Sequence, residues 1–371
     1  MLEIPATLMR GGTSKCWVFS RNELERVGAP VDDILLRLYG SPDERQIDGL
    51  GGGTSTTSKA VILSPSQRDD ADIDYSFAQV GLADGRVDWS SNCGNCSAAI
   101  APYVLHAGWL APQGERTAAR IFNTNTGQLI VAEVPTPGGV FDESGDAHIV
   151  GVPYAGLEVV LWFVDPAGRT TGRLLPTGLA IEHIDGVPVT LIDGGAPVVI
   201  AEASALGLTG LETPAEIDAR PELLARVDGI RREGAVRMGL AAAAAAALKA
   251  VPKVALVSSR SADDHDFGVT MMSMGKAHPA IAITGSVALT LAAATPGTVV
   301  SRMAERPGTR DVTSMRTPSG VVSTRIGRHG ALPAVGITRS ARRLADASVP
   351  LPLEQLPDHA SGLVEEALLV R

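Results

Sequence analysis

The sequence predicts an α+β protein made of two similar halves. Short apolar runs bounded by Gly, Pro and Asp turns recur in both halves and predict strands. Each half also has one segment that is apolar nearly all round, which predicts a buried helix. The predicted strands are 60–64, 74–81, 120–123, 129–134 and 159–164 in the first half, and 187–192, 198–202 and 253–258 in the second.

The two apolar helices support an internal repeat. We expect the first over residues 97–107, after the small-residue turn at 92–95, and the second over 285–294, opened by the turn at 284–286. The first turn of a helix leaves its N–H groups without acceptors, and these groups attract anions. If both helices begin at one cleft between the halves, each start can hold a carboxylate. This arrangement would suit a polycarboxylate ligand.

Two longer helices and a domain boundary complete the predicted organisation. Segment 22–40 carries apolar residues near helical spacing, and 214–251 is predicted to be mainly helical. The strand pattern restarts around residues 175–178. We therefore expect one domain at 1–180 and a second at 181–371, with the C-terminal end packing back on the first domain.

Composition and charge exclude several classes of protein. The 371 residues are 45% hydrophobic, 20% charged and only 4% aromatic, and the net charge is −9, which argues against a broad nucleic-acid surface. Three cysteines are too few for a disulfide framework and fit a reducing compartment. We see neither a secretory signal at the start nor an apolar run long enough to span a membrane. We expect a cytoplasmic protein with no membrane partner.

A loop rich in Gly, Ser and Thr ends on one lysine. Residues 49–58 lead to Lys59, which precedes the apolar run 60–63. An exposed, solvated lysine is the ordinary alternative, but partial burial between loop and strand would favour the neutral amine of a general base. A Walker A loop requires Gly-Lys-Ser/Thr, whereas Ser58 and Ala60 flank this lysine, so nucleotide binding is disfavoured.

Cys93 and Cys96 form a Cys-x-x-Cys pair at a predicted helix start, where the pKa of a thiol falls. Zinc would need further ligands, and Cys16 is the one remaining cysteine, so a structural zinc site is disfavoured. A thiol–disulfide redox role stays open. A buried, inert Cys96 is the simpler interpretation.

Charged and Gly-rich turns in both halves are weaker candidates. The seven histidines show no metal-ligand spacing, and residues 263–266 fit a solvated turn better than a chelate. Lys276 and His278 lie shortly before the second buried helix and could bind a carboxylate, although a surface turn is an equal alternative. The Gly-rich turn at residues 10–15 is either a third anion-facing turn or a hairpin.

Six motifs, in order along nearly the whole chain, resemble the PrpF family, which includes 2-methylaconitate cis-trans isomerases, methylitaconate isomerases and 4-oxalomesaconate tautomerases. The resemblance implies a diaminopimelate-epimerase-like fold with two pseudo-symmetric domains, each a curved, mostly antiparallel sheet around a central helix, and an active site between them. The motifs are Met9-Arg10-Gly11-Gly12-Thr13-Ser14-Lys15, the stretch from Gln46 to Lys59, Asn92-Cys93-Gly94-Asn95, Asn123-Thr124-Asn125-Thr126-Gly127, Leu175-Pro176-Thr177-Gly178 and Ser273-Met274-Gly275-Lys276-x-His278.

The resemblance also implies roles for individual residues. Lys59 corresponds to the catalytic base of the family, and Cys93 to a cysteine that lines the site as a second acid/base. No cysteine lies near residues 284–286, where related racemases carry their second thiol, so an isomerase with unlike bases is preferred. The expected substrate-binding residues are Ser14, Gly52, Gly53, Thr54, Ser55, Gly94, Asn95, Lys276, His278, Thr284, Gly285 and Ser286.

The expected function is therefore a cofactor-independent, metal-free isomerase that shifts a proton and a double bond in a small unsaturated di- or tricarboxylate. The loop at 53–59 is closest to the methylaconitate type, whereas residues 123–127 resemble the methylitaconate and tautomerase branch. A thiol–disulfide oxidoreductase and a non-catalytic carboxylate-binding protein remain alternatives from other classes. A homodimer is left open.

Overall fold

The computed structural model describes residues 2–304 and 311–356 and contains one 17-stranded sheet. In this part of the chain no helix has the length and apolar character needed to cross a membrane. In chain order the strands are β1 (Leu2–Gly11), β2 (Ser14–Ser20), β3 (Lys59–Pro65), β4 (Ile73–Val80), β5 (Val87–Asp88), β6 (Arg116–Asn123), β7 (Gln128–Pro135), β8 (Leu157–Val164), β9 (Glu182–Ile184), β10 (Val187–Asp193), β11 (Pro197–Glu202), β12 (Lys253–Ser259), β13 (Phe267–Ser273), β14 (Lys276–Ala277), β15 (Val312–Thr317), β16 (Gly320–His329) and β17 (Leu332–Leu351).

The helices of the described residues form an inner and an outer set. The inner set follows β5 and β14, and the outer set connects β2 to β3 and β11 to β12. In chain order the helices are α1 (Arg21–Glu25), α2 (Val31–Tyr39), α3 (Gly94–Ser97), α4 (Ile100–His106), α5 (Pro214–Asp218), α6 (Pro221–Arg237), α7 (Ile283–Ala294) and α8 (Val299–Met303).

The first half is a closed ring of strands around α3 and α4. Strand β1 pairs with β2, and the ring continues through β3, β4, β6, β7 and β8, mostly antiparallel, with parallel pairing of β2 with β3 and of β4 with β6. Strand β17 closes it, because residues 334–341 pair with β8 and residues 341–351 pair with β1. The last long strand thus lies beside the first.

The second half repeats this order of strands. Strands β10, β11, β12, β13, β15, β16 and the start of β17 follow one another, again with two parallel pairs, β11 with β12 and β13 with β15. By this pattern β12 is the equivalent of β3, and α7 is the equivalent of α3 and α4. The predicted class and the curved sheet around a central helix in each half are confirmed. The division at residue 180 stays a prediction.

One apolar core runs through both halves. Residues of the central helices, such as Ile100, Val104, Val287 and Leu289, belong to a single buried cluster with the inner faces of the strands. The outer faces are covered separately: α1 and α2 pack on one side of the first half, and α6 packs on the second half. The burial of apolar surface on both faces stabilises the sheet and holds the two central helices in place.

Three sequence-based expectations on the helices were wrong, two of them on the outer helices and one on the first central helix. Segment 22–40 is two helices, because Gly28 adopts a φ of +75° and Pro30 precedes α2. The predicted helix over 214–251 ends at Arg237, and the alanine-rich stretch after it has only one 3₁₀ turn, at Ala244–Ala246. Exposed alanines have high helix propensity but no apolar face to pack, and propensity alone rarely holds a short helix.

The first buried helix starts at Gly94 and is interrupted after Ser97. Pro102 has no N–H to donate to the carbonyl of Ala98, so one helical hydrogen bond is missing at that turn. In place of one helix over residues 97–107, the chain therefore has the end of α3 and the separate helix α4. Its counterpart α7 has no proline and runs unbroken for 12 residues.

Candidate active site

A small pocket lies between the two halves, where the two central helices begin. It is bordered by the loop before β3, the end of β4, the turn between β13 and β14, and the first residues of α3 and α7. The lining residues are Ser14, Ser55, Lys59, Phe77, Gln79, Ser91, Asn92, Cys93, Gly94, Asn95, Ala250, Lys253, Ser273, Met274, His278, Ala282, Ile283 and Thr284.

Lys59 is fixed at the floor of this pocket. It is the first residue of β3, directly opposite Gln79 on β4, and is only 8% exposed. Its Nζ donates a 2.7 Å hydrogen bond to Gln79 Oε1, and Gln79 Nε2 in turn donates to the Ser58 carbonyl at 2.8 Å. The ring of Phe77 lies 4.9 Å from the amine. The side chain therefore points in one direction and is shielded from bulk water.

The loop before Lys59 is held by a buried glutamine. Gln46 accepts a 3.0 Å hydrogen bond from the Gly53 N–H and donates to Ser58 Oγ at 2.7 Å. Gly53 has a φ of +66°, a conformation that side chains other than glycine rarely adopt. As a result Ser55 lines the pocket, whereas Gly52, Gly53 and Thr54 shape the loop from outside the lining.

Cys93 is the N-cap residue of α3, the first central helix. Its sulfur accepts a weak hydrogen bond from the Cys96 N–H and is 4.0 Å from Ser14 Oγ. The interaction with the Cys96 side chain and burial both raise the pKa of Cys93 well above its usual value, and burial does the same for Cys96. The expectation that this helix start lowers the thiol pKa was wrong, because the Cys96 side chain and burial outweigh the hydrogen bond from the helix backbone. Both cysteines are free thiols.

The two helix starts meet at Gly94. A Cβ on Gly94 would lie 2.8 Å from Ile283 Cβ, so only glycine permits this approach. Asn95 ties the halves together, because its Nδ2 donates to the Ile281 carbonyl at 3.1 Å and its Oδ1 accepts from the Thr13 N–H at 3.3 Å. The side-chain amide of Asn95 is therefore already used in hydrogen bonds that hold the structure together. The first residues of α3 and of α7 both line the pocket.

His278 contributes a neutral imidazole. Burial, and then the charges of Lys59 and Lys253, lower its pKa to about 4. Nδ1 accepts a 3.0 Å hydrogen bond from the Ala280 N–H, so the neutral ring carries its proton on Nε2. The preceding residues form a tight hairpin in which Met274 has a φ of +54° and Gly275 of +82°. Lys276 leaves this hairpin exposed and outside the lining.

Sequence reasoning missed five polar lining residues that the fold brings in: Gln79, Ser91, Asn92, Lys253 and Ser273. Lys253 starts β12, the equivalent of β3, and was assigned only to a predicted strand. Asn92 was noted within a motif but not as a site residue. It is 2% exposed, and both its Oδ1 and its Nδ2 lack a hydrogen-bond partner among the described residues. A buried, unpaired amide at a pocket is costly unless a ligand satisfies it.

The pocket carries positive charge. Lys59 and Lys253 line it, and none of the described lining residues is acidic. No cluster of three or more His, Cys, Asp or Glu that could hold a metal ion occurs in residues 2–304 and 311–356. Two amines, the N–H groups at the starts of the two central helices and a neutral imidazole favour an anionic ligand, because each can donate a hydrogen bond to a carboxylate.

The structure collects eight of the predicted site residues at this pocket: Ser14, Ser55, Lys59, Cys93, Gly94, Asn95, His278 and Thr284. Six others lie outside its lining: Gly52, Gly53, Thr54, Lys276, Gly285 and Ser286. Of these, Gly285 packs toward Met271 and Ser286 Oγ donates to the Ile283 carbonyl, so both serve the helix. The catalytic and binding roles of the whole set stay predictions.

The chain is similar to known proteins over nearly its full length. The family model described as PrpF protein matches residues 1–352. A 4-oxalomesaconate tautomerase of Pseudomonas putida is 40% identical over 93% of this chain and 95% of its own. A 2-methyl-aconitate isomerase of Cupriavidus necator is 37% identical over 95% of this chain and 98% of its own. The crystal structure of a methylitaconate-delta-isomerase, 34% identical, covers 94% of this chain and 95% of its own with a TM-score of 0.76.

The fold, with its pocket between two equivalent halves, and these relatives together place the protein among the isomerases. The resemblance seen in the sequence motifs is confirmed over the whole matched range. The chain belongs to the PrpF family.

Proposed function

We propose that the protein is a cofactor-independent isomerase of a small unsaturated di- or tricarboxylate, in which Lys59 removes an allylic proton. The observation that carries this proposal is the buried amine of Lys59, oriented by Gln79 at a pocket whose described lining has no carboxylate. The relatives act on methylaconitate, methylitaconate or oxalomesaconate by name. The methylaconitate type is our first candidate substrate, and the other two are alternatives.

The proposed chemistry begins with the amine of Lys59 acting as the base. It takes the proton from the carbon next to the double bond, and the electron pair left behind delocalises into a substrate carboxylate. N–H groups at the starts of α3 and α7 hold that carboxylate and stabilise the charge as it develops, an effect that is large in a water-poor site. Protonation at the other end of the allyl system moves the double bond. Protonation at the same carbon after rotation gives the cis-trans isomer.

Asn92 and His278 fit the recognition of further carboxylate oxygens. Both donate through an N–H, and Asn92 has no other described partner to lose when substrate binds. Cys93 remains a neutral thiol, which suits a weak acid or a packing role at the helix start. The same raised pKa disfavours the thiol–disulfide alternative, since a redox cysteine reacts as a thiolate. We also propose a cytoplasmic location, and leave a homodimer open.

Proton NMR in heavy water tests the function. The protein is incubated with methylaconitate, methylitaconate and oxalomesaconate, each alone, before and after exhaustive EDTA treatment and without added nucleotide, flavin or pyridoxal phosphate. We expect one of them to be isomerised, with solvent deuterium entering the product. A protein that isomerises none of the three and exchanges no allylic proton would contradict the proposal. Activity lost on chelation and restored by one metal would contradict the metal-free mechanism.

A further inference from the structure

Two lysines occupy equivalent places in the two halves. Lys59 is the first residue of β3 and Lys253 the first of β12, and each strand pairs parallel with the strand before it and antiparallel with the strand after it. The two strands also share one pattern of burial, and both lysines are 8% exposed. The repeat of the fold thus brings a second amine into the pocket from the opposite side.

The surroundings of the two amines differ. Lys59 Nζ donates a hydrogen bond to the side-chain Oε1 of Gln79. The position opposite Lys253 falls at the end of β13, near Ser273, because Val254 pairs with Met272. Among the described residues Lys253 Nζ has no hydrogen bond and no ion pair. An amine kept in a buried place without a partner costs stability, and such groups cluster at functional sites.

The electrostatic setting of Lys253 suits proton transfer near neutral pH. Burial is the main cause that lowers its pKa to about 8, and the charge of Lys59 adds to this, whereas Cys93 and Asp88 act in the opposite direction. At pH 7 most of this amine is protonated, yet it gives up a proton far more readily than an exposed lysine. It therefore has the properties of a general acid at a pocket that also contains a candidate base.

Building on the double-bond shift of the proposed function, we propose that Lys253 is a second catalytic residue, which delivers a proton to one end of the substrate's allyl system after Lys59 has removed a proton from the other end. The lone pair of Lys59 Nζ forms the new N–H bond while the substrate C–H bond breaks. The electron pair then forms a C–H bond at the far carbon with a proton from the Lys253 ammonium. Lys59 ends as ammonium and Lys253 as amine, and exchange with water restores both.

In the two-lysine mechanism, removal of the allylic proton and delivery of a proton to the far carbon depend on different residues and can be measured separately. Without Lys253, Lys59 can still remove the allylic proton and return it to the same carbon, with exchange into solvent. Without Lys59, neither exchange nor isomerisation starts. A lysine that merely bound a carboxylate would behave differently, because an arginine could replace its charge but holds its proton too tightly to donate it.

The experiment follows deuterium exchange and product formation by NMR in heavy water for the wild type, Lys253→Met, Lys253→Arg and Lys59→Ala. Lys249→Ala, at an exposed lysine of the same half, is the matched control. Circular dichroism and thermal melting verify folding. We expect both Lys253 variants to lose kcat for the product with a shifted double bond by about 10²–10⁴ while the substrate's allylic proton still exchanges. Lys59→Ala should lose both, and Lys249→Ala should match the wild type.

Several outcomes overturn the role of Lys253. These are near-native kcat in Lys253→Met, recovery of kcat in Lys253→Arg, or a rise in KM alone, which would make Lys253 a binding cation. Equal loss of exchange and product in folded Lys253 variants would also contradict separate removal and delivery. Such results leave the proposed function standing if the wild type isomerises its substrate. A wild type that neither exchanges nor isomerises any of the three substrates would overturn the function and this inference together.

Discussion

The two halves of the molecule share a backbone plan but differ in the groups that they bring to the pocket. In the first half the lysine that starts β3 is held by Gln79, and a thiol precedes the central helix. In the second half the lysine that starts β12 has no described partner, and an alanine, Ala282, precedes the helix. A repeated fold can thus supply two similar amines and give each of them different neighbours.

The loss of Lys59 tests the first half most directly and should have the largest effect. We expect Lys59→Ala to lower kcat by about 10²–10⁴, because a general base typically contributes that factor. Binding of the carboxylate substrate, measured by calorimetry, should persist. Lys15→Ala, an exposed lysine on β2, is the control and should keep full activity. Near-native turnover in Lys59→Ala would remove the lysine mechanism.

The pH profile tests the second half. The form of Lys253 that delivers a proton is the protonated one, so its contribution is present below its pKa of about 8 and is lost as pH rises through that value. We expect the kcat/KM profile of the wild type, which reports the free protein, to lose about tenfold per pH unit above this point relative to the profile of Lys253→Met. Bound carboxylates would raise the pKa, so the corresponding fall in kcat should come at higher pH. A wild-type profile that stays parallel to that of Lys253→Met up to pH 10 would be inconsistent with Lys253 as the acid.

His278 should leave no trace in the same profile between pH 5.5 and 7.5, because its pKa of about 4 keeps the ring neutral there. Lys59, Lys253 and Cys93 face this region along with the imidazole, and the two lysines are the charged groups that hold its pKa low. A rise or fall near pH 6.5 would show that the imidazole titrates as an exposed histidine does.

Serine substitutions of the two cysteines should distinguish a residue that lines the pocket from one that packs in the core. Cys93→Ser should reduce kcat by roughly tenfold without abolishing it, since a neutral thiol at the pocket is at most a weak acid and a hydroxyl can partly replace it. Cys96 is fully buried and lies outside the lining, so Cys96→Ser should change kcat little. Steady-state kinetics of both variants decide. Equal and complete loss in both would favour the redox alternative.

The sequence predicted the parts of this site that local patterns mark. The loop ending in Lys59 and the turn at Cys93 are visible as motifs, and the apolar strands beside them follow from periodicity. Strands β15 to β17 were not predicted, because Thr, Ser and Arg residues on both faces interrupt their apolar pattern, as the buried Arg339 and the exposed Arg342 do. Lys253 was missed because its place depends on β11 and β13 pairing on either side of β12, which no local pattern shows.

Alanine substitutions of two glycines in the first turns of the central helices should have the smallest effects. They compare the packing around the start of each helix. A Cβ on Gly94 would press on Ile283 Cβ and Cγ2 at 2.8 and 2.9 Å and on the Phe163 ring at 3.1 Å, all parts of packed core side chains. A Cβ on Gly285 would meet Met271 Cε at 2.5 Å, the free end of a flexible side chain that can turn aside.

We therefore expect Gly94→Ala to lower the free energy of unfolding by about 1–3 kcal/mol, the usual cost of overpacking, and to lower activity because it pushes the two helix starts apart. Gly285→Ala should cost less than this and keep most activity, since alanine also favours the helix. Denaturant unfolding with steady-state kinetics measures both. If Gly285→Ala proved the more damaging, the close contact of the two halves at Gly94 would not be what sets the geometry of the pocket.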